Sequence, residues 1–253
     1  MKKHILPLLL SLIVAPVLVM HAQMQTVDDV VEKHLAAVGG RDALGKLTTR
    51  KATGTFTLAV ANGELIGPIE LYSTRPNKTR AYIVLDLTPM GMADKMVLDQ
   101  KFDGTVGWTQ NSVQGDNQIT GNQLDNMKNA TFPNPLINHK AAGTAVELLP
   151  NETVDGKAAI VLRITPKVGS VSKLFLDATT YLAFRSTATI GMTQMDGSVQ
   201  QVEQVAEASD YRKVDGLMIP FKTVNTTPQQ KATIVLTKVE HNVAIDDAMF
   251  TKK

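Results

Sequence analysis

The sequence contains no cysteine. This absence excludes disulfide bridges, thiolate metal sites and the lipid-modified cysteine of a membrane-anchored lipoprotein. Small exported domains often need disulfides because their cores are thin, whereas a chain of 253 residues can bury enough apolar surface without them. We therefore expect the fold to depend on its hydrophobic core alone.

Aromatic residues and an excess of charge are also scarce. Aromatic side chains make up 5% of the chain, with a single tryptophan, and 26 basic residues stand against 24 acidic ones. Two of the basic residues, Lys2 and Lys3, lie at the very start of the chain. No basic tract follows them, so we do not expect a nucleic acid as partner.

Motifs for catalysis are missing as well. The sequence has no nucleophile elbow, phosphate loop, dinucleotide fingerprint or zinc-binding helix. Beyond residue 22 the histidines are His34, His139 and His241, and each is isolated in sequence. An enzyme would need titratable groups from distant strands to converge in one pocket. We predict no catalytic residue, no cofactor and no metal site.

The N-terminus has the pattern of a secretory signal peptide. Lys2 and Lys3 precede an apolar run over residues 5–20, and a polar stretch follows. The run is shorter than the roughly 20 residues of a membrane span, although an uncleaved anchor is the alternative. We predict a signal peptide over residues 1–22, cleaved after Ala22. The mature part, residues 23–253, is expected to be one periplasmic domain, monomeric and without stable membrane insertion.

Helical signals appear directly after this segment. Thr26 and Asp29 have the spacing of a capping box, and Gly39-Gly40 ends the pattern. A second short helix is expected over residues 41–47. The apolar residues of the first helix recur at helical spacing: Val27, Val30, Val31, Leu35 and Val38.

Beyond Leu47 the apolar period changes to two, which is typical of strands. Asn62-Gly63 predicts a tight hairpin, and Asp-Gly pairs at 103, 155, 196 and 215 predict further turns. We expect about 10 to 12 antiparallel strands. Besides the strand around Phe56, the runs lie near 65–74, 78–87, 94–102, 157–165, 171–177, 180–190, 198–212, 217–225 and 232–242.

Alternation fails over residues 121–149, where Asn, Pro and Ala are frequent. A helix over 123–129 and another after Pro135 would pack across the sheet. The predicted fold class is mostly β (α+β): a large curved antiparallel sheet or half-open β-barrel, with an N-terminal helix and a short helical insertion covering one face.

Two side-chain types stand out beyond this pattern. Met90, Met92 and Met96 crowd next to Leu87, and flexible thioethers suit a surface that accepts varied apolar partners, although they also fill irregular cores. Trp108 could line a pocket or pack in the core.

Five segments carry a resemblance to a known family: HLAAVGGRDALGKLTTRKATGTF, FDGTVGW, TVDGKAAIVLRITP, LFLDATTYLAFRS and DYRKVDGLMIPF. In this order they resemble the LolA-like group of bacterial envelope proteins, which includes periplasmic lipoprotein carriers and outer membrane lipoprotein-sorting proteins. The resemblance covers about residues 27–250. It implies a half-open barrel, helices over its mouth and an apolar cavity that holds acyl chains.

From the fold and the resemblance we expect a periplasmic carrier without catalysis that shelters a lipid, a lipoprotein acyl chain or another apolar ligand in a concave β cavity. Burying about 0.8 kcal/mol per methylene needs no reactive group. The alternatives are a protein-interaction or envelope-sensing module with an envelope protein as partner, and a hydrolase whose site follows no motif. The expected cavity lining is Phe56, Leu58, Met92, Met96, Leu98 and Trp108.

Overall fold

The computed structural model describes residues 25–60, 63–92, 94–193 and 199–252. Three predicted features lie outside these residues: the signal peptide over 1–22, Asn62 of the Asn62-Gly63 turn, and the Asp-Gly pair at 196. None of the described helices combines the length and the apolar composition needed to cross a membrane.

Thirteen strands form a single antiparallel sheet in the described part of the chain. The helices are α1 (Val27–Ala37), α2 (Arg41–Gly45), α3 (Gly121–Asn129) and α4 (His139–Ala142), with 3₁₀ turns at Thr88–Met90 and Asp247–Phe250. The strands are β1 (Thr49–Val60), β2 (Gly63–Thr74), β3 (Lys78–Asp86), β4 (Lys95–Phe102), β5 (Gly107–Asn111), β6 (Gly115–Ile119), β7 (Ala145–Val154), β8 (Lys157–Thr165), β9 (Ser172–Asp177), β10 (Ala183–Thr193), β11 (Val199–Val214), β12 (Leu217–Thr226) and β13 (Lys231–His241).

Helix α1 begins and ends where the sequence predicts. The Thr26 Oγ1 atom accepts a hydrogen bond from the Asp29 amide at 3.2 Å, and the Asp29 carboxylate accepts one from the Thr26 amide at 3.2 Å. This reciprocal pair satisfies two amides that the first turn leaves free. Gly39 and Gly40 both adopt positive φ and stop the helix.

The Asp-Gly pairs adopt the predicted turns where they are described. Asp155-Gly156 has φ values of 50° and 79°, and Asp215-Gly216 has 49° and 84°. Two successive positive φ angles define the type I′ turn, whose twist matches that of a hairpin. The Asp103 carboxylate instead accepts hydrogen bonds from the amides of Thr105 and Val106.

The mostly β class and the large antiparallel sheet are confirmed. Three strands, β5, β6 and β7, are not among the predicted runs. Strands β5 and β6 have five residues each and are largely polar, so they show no apolar alternation. Strand β7 begins inside the segment predicted to lack strands. Its register shifts between Leu149 and Glu152, around Pro150, which interrupts the period of two.

The order of the strands is β6-β5-β4-β3-β2-β1-β13-β12-β11-β10-β9-β8-β7. Each half of the chain is a run of hairpins, and β1 pairs with β13 in the middle. Strands β6 and β7 follow one another in the chain yet form opposite edges of the sheet. Residues 120–144, which we call the insertion, must therefore cross the sheet from edge to edge.

Near the middle of the sheet, neighbouring backbones approach closely at two glycines. Strand β13 has a bulge opposite Thr53 and Gly54, and a side chain at Gly54 would overlap the Val235 carbonyl oxygen. A side chain at Gly67 would overlap the Val84 carbonyl oxygen in the same way. Glycine at these positions allows neighbouring backbones to approach closely, as is common where a sheet bends.

We expect Gly54→Ala to destabilise the fold by about 1–3 kcal/mol, the usual cost of overpacking. The control is Gly45→Ala in α2, where nothing lies within 4 Å of the added carbon and the change should stay within about 0.5 kcal/mol. Urea unfolding of both variants measures the difference. Equal stabilities for the two variants would show that the close approach at Gly54 is not a constraint.

Candidate ligand-binding site

The two faces of the sheet differ in chemistry because the side-chain period along each strand is two. Across β1 to β4, one register row is formed by Ala52, Leu71, Ala81 and Gln100. The adjacent row, on the opposite face, is formed by Lys51, Tyr72, Arg80 and Lys101. We call these the inner face and the outer face.

The outer face is held by ion pairs and covered by the C-terminal 3₁₀ turn. Arg80 binds both carboxylate oxygens of Asp99 at 2.8 Å, and Lys101 lies 3.2 Å from the same carboxylate. Beyond the turn, the Lys252 ammonium stacks over the Trp108 ring at 4.3 Å. Arg80, Lys101 and Asp99 therefore satisfy one another.

Helix α1 covers part of the inner face with its apolar stripe. Val30, Val31 and Leu35 are buried in one cluster with residues of β8, β9 and β12. The strand residues of this cluster include Ile160, Leu162, Leu176, Leu217, Ile219 and Phe221. At about 25 cal/mol per Å² of buried apolar area, this contact is a large part of what holds the helix to the sheet.

The insertion is attached to the β2–β3 hairpin on one side. The Phe132 amide donates to the Pro76 carbonyl at 2.7 Å, and the Asn77 side-chain amide donates to the Lys128 carbonyl at 3.1 Å. Phe132 and Leu136 also join the buried cluster under α1. The crossing segment is therefore anchored both by backbone polar groups and by two apolar side chains.

On the other side the insertion is attached to the β8–β9 loop through asparagines of α3. The Asn126 side-chain oxygen accepts from the Ser170 amide at 2.7 Å, and the Asn129 side chain donates to the Val168 carbonyl at 2.6 Å. Asn122 adds a bond to the Ser170 hydroxyl at 3.0 Å. Residues 122–132 of the insertion are thus attached both to the β2–β3 hairpin and to the β8–β9 loop.

Three adjoining cavities lie on the inner face, and its covering segments line two of them. The central cavity, beneath α1 and α2, has a volume of about 390 Å³. The insertion cavity, beneath α3, has about 350 Å³ and shares Leu136 and Ile164 with the central one. The arginine cavity has about 270 Å³ and shares Arg50 and Ile219 with the central one. Volumes of this order are typical of small-molecule sites.

Three titratable side chains, those of His34, Arg50 and Tyr211, line the central cavity, and the first is His34 of α1. Its Nδ1–H donates to the Tyr181 carbonyl at 2.9 Å, so Nε2 is the acceptor, 3.4 Å from the Asn134 side-chain amide. Burial lowers the pKa of His34, and the bond to Tyr181 opposes this only in part. The ring therefore stays neutral and connects α1 to the insertion.

The second titratable side chain is Arg50, near the start of β1. Its guanidinium stacks over the Phe132 ring at 5.3 Å, and its side chain lines both the central and the arginine cavities. Burial lowers the pKa of Arg50, although the group remains charged at neutral pH. Sequence reasoning missed this residue. Its inward direction could have been inferred, because residue 50 lies an even number of positions from the inward-facing residues 52, 54 and 56.

The residues predicted to line a cavity are only partly brought together. Phe56, Leu58, Met96 and Leu98 pack in one cluster with Leu65, Leu85 and Leu87. This cluster lies on the inner face, toward the other end of β1 to β4, and its residues are not among those that line the three cavities. As ligand contacts these four residues stay predictions.

Met92 and Trp108 lie elsewhere. Met92 follows the 3₁₀ turn Thr88–Met90 and is 41% exposed. Trp108 pairs in register with Lys101, which places it on the outer face, away from the cavities. The Trp108 ring contacts Lys252 and lines none of the three cavities.

The remaining histidines have separate surroundings. His139 lines a fourth cavity of about 310 Å³ among the helices, and its Nδ1–H donates to the Leu136 carbonyl at 2.8 Å. His241 lies 2.9 Å from Asp215. None of the four cavities is lined by two histidines, and the described residues hold no cluster of three metal-binding side chains. The three cavities on the inner face are lined mostly by apolar side chains.

The lowered pKa of His34 predicts how stability depends on pH. The unfolded chain binds a proton at His34 below about pH 6.5, whereas the folded protein resists protonation there. The stability contributed by the neutral ring is therefore present above that pH and is lost as the pH falls. We expect the free energy of unfolding to decline less steeply from pH 7 to pH 5 in His34→Gln than in the wild type. Urea unfolding at several pH values measures both slopes, and equal slopes would refute the assignment.

Comparison with known proteins bears on the fold. No family model matches the sequence, and no curated protein matches it either. Among solved structures, a LolA superfamily protein from Nitrosomonas europaea is 14% identical, with a TM-score of 0.55 over 90% of this chain and 98% of that one. A DUF1329 family protein from Desulfovibrio piger is 15% identical, with a TM-score of 0.56 over the same shares.

A third similar structure is a domain assigned as an outer membrane lipoprotein-sorting protein, from Vibrio parahaemolyticus. It is 11% identical, with a TM-score of 0.54 over 88% of this chain and 94% of that one. Identities this low show the fold and nothing finer. The chain therefore has the LolA-like fold that the sequence resemblance predicts.

Proposed function

We propose that this protein is a periplasmic carrier that shelters the acyl chain of a lipid or lipoprotein between the sheet and the insertion. The observation that carries the proposal is the row of three adjoining cavities along the inner face. The predicted signal peptide, residues 1–22, supports the location. The LolA-like fold of a domain assigned to lipoprotein sorting supports the class of ligand.

The chemistry of the cavities suits an acyl chain. Leu136, Ile164 and Leu174 line the central cavity, and Ile190 lines the insertion cavity. Each methylene moved from water to such a surface contributes about 0.8 kcal/mol. Because binding of this kind needs neither a nucleophile nor a metal, the absence of an assembled acid–base pair in these cavities is compatible with the proposal.

The insertion supplies the route for loading. Helix α3 has no buried residue, and hydrogen bonds from its asparagines hold it to the β8–β9 loop. Segments with few buried apolar contacts open at the lowest free-energy cost. Release of α3 from the β8–β9 loop exposes the insertion cavity without unfolding the sheet.

Native mass spectrometry of residues 23–253, purified gently from the periplasm, tests the proposal. We expect an adduct with the mass of a lipid, and organic extraction of the bound material should give its class. A mass equal to that of the chain alone, after gentle handling and after incubation with periplasmic lipid extract, would contradict the carrier function.

A cavity-filling variant tests whether the ligand binds in the insertion cavity. Ala188 lines the insertion cavity, whereas the next residue on β10, Thr189, is exposed on the outer face. We expect Ala188→Phe to reduce lipid occupancy about tenfold or more, because the ring takes the space of several methylenes. Thr189→Phe is the matched control and should keep wild-type occupancy in the same mass measurement. Loss in both variants, or in neither, would place the ligand elsewhere.

The open edges of the sheet favour a second candidate, a protein-interaction module. Strand β6 is an edge strand and four of its five residues are exposed. An unpaired edge can accept a strand from a partner. Cross-linking in the periplasm distinguishes the two functions: recovery of an envelope protein bound to a lipid-free chain would favour the module over the carrier.

A further inference from the structure

Arg50 is a half-buried cation that lines both the central and the arginine cavities. No carboxylate of the described residues lies within ion-pair distance of its guanidinium, and no described residue accepts a hydrogen bond from it. Its contact with the Phe132 ring uses one face of the planar group. An unpaired charge removed from bulk water is costly to a fold. Its N–H groups are therefore available to a ligand in the cavities that Arg50 lines.

Several polar side chains line the arginine cavity beside Arg50. Ser73 is its direct neighbour across β2, and Thr79 is the neighbour of Ser73 across β3. Both line the arginine cavity, and Gln100 and Thr223 line it too. On the other side of Arg50 the central cavity is lined by Leu44, Leu47 and Leu174. Arg50 therefore lies between the arginine cavity, whose lining includes Ser73, Thr79 and Gln100, and the larger central cavity, whose lining is mostly apolar.

We infer that the ligand is an amphiphile with an anionic oxygen head group, a carboxylate or a phosphate. The head group binds Arg50 in the arginine cavity, and the chain extends into the central and insertion cavities. A planar guanidinium forms paired, charge-assisted hydrogen bonds with such oxyanions. The hydroxyls of Ser73 and Thr79 supply further donors. This inference rests on the proposed carrier function and narrows its ligand class.

A structural role for Arg50 is the competing account. Its stacking on Phe132 could serve to fix the insertion, in which case removal of the charge would loosen the fold. If Arg50 instead awaits an anion, its replacement by an apolar side chain removes an uncompensated charge and stabilises the empty protein. Thermal unfolding without ligand separates the two accounts. We expect a higher midpoint for Arg50→Met than for the wild type, and a lower one would assign Arg50 a structural role.

Displacement of a fluorescent, uncharged fatty alcohol tests the head group directly, because the probe itself needs no arginine. The competitors are hexadecanoate, hexadecyl phosphate, hexadecanol and inorganic phosphate. We expect wild-type protein to prefer one or both of the charged amphiphiles over hexadecanol by about tenfold to a hundredfold. Inorganic phosphate should not displace the probe because it has no chain.

Arg50→Met should lose this preference while keeping its affinity for hexadecanol. The matched control is Lys51→Met, the next residue of β1, whose side chain lies on the outer face near Glu70; it should keep the preference. Equal affinities for charged and uncharged chains in the wild type would overturn the inference and leave the carrier function standing. Displacement by inorganic phosphate would indicate a small-anion site instead. Failure of the probe to bind at all would overturn the carrier function as well.

Discussion

The constraint on which the structure depends is that β6 and β7 are consecutive in the chain but form opposite edges of the sheet. The chain can join them only by crossing a face, and the inner face is the apolar one. The crossing segment is too short and too polar to fill that surface: α3 has no buried residue, whereas Phe132 and Leu136 are buried. A bridge over a coiled sheet therefore leaves space beneath it, and the cavities follow from the topology.

Local chemistry explains which elements could be predicted. The capping box at Thr26, the glycines after α1 and the Asp-Gly turns each depend on residues within a few positions of one another. Strands β5 to β7 could not be recognised, because two are short and polar and the third is bulged at Pro150. The cavities could not be predicted from the sequence, since their lining comes from segments more than a hundred residues apart, such as those of Leu47 and Leu174.

Arg50 combines one feature that the sequence predicts with one that it does not. Its inward direction follows from strand parity, since Ala52 and Phe56 share its face. Its lack of a partner does not, because a carboxylate from any other strand could have met it. On the outer face such pairing occurs, with Arg80 bound to Asp99 two strands away from β1. The same residue type is thus neutralised on one face and left unpaired on the other.

This difference between faces is itself an argument about function. A fold selected for stability alone would pair or replace an inward arginine and fill the space beneath the insertion. Here the outer face pairs Arg80 and Lys101 with Asp99, and α1 buries Val30, Val31 and Leu35 against the sheet. The three cavities and the unpaired arginine all lie on the inner face. Departures from packing rules that converge on one place, within a chain that otherwise obeys them, are expected at sites that bind something.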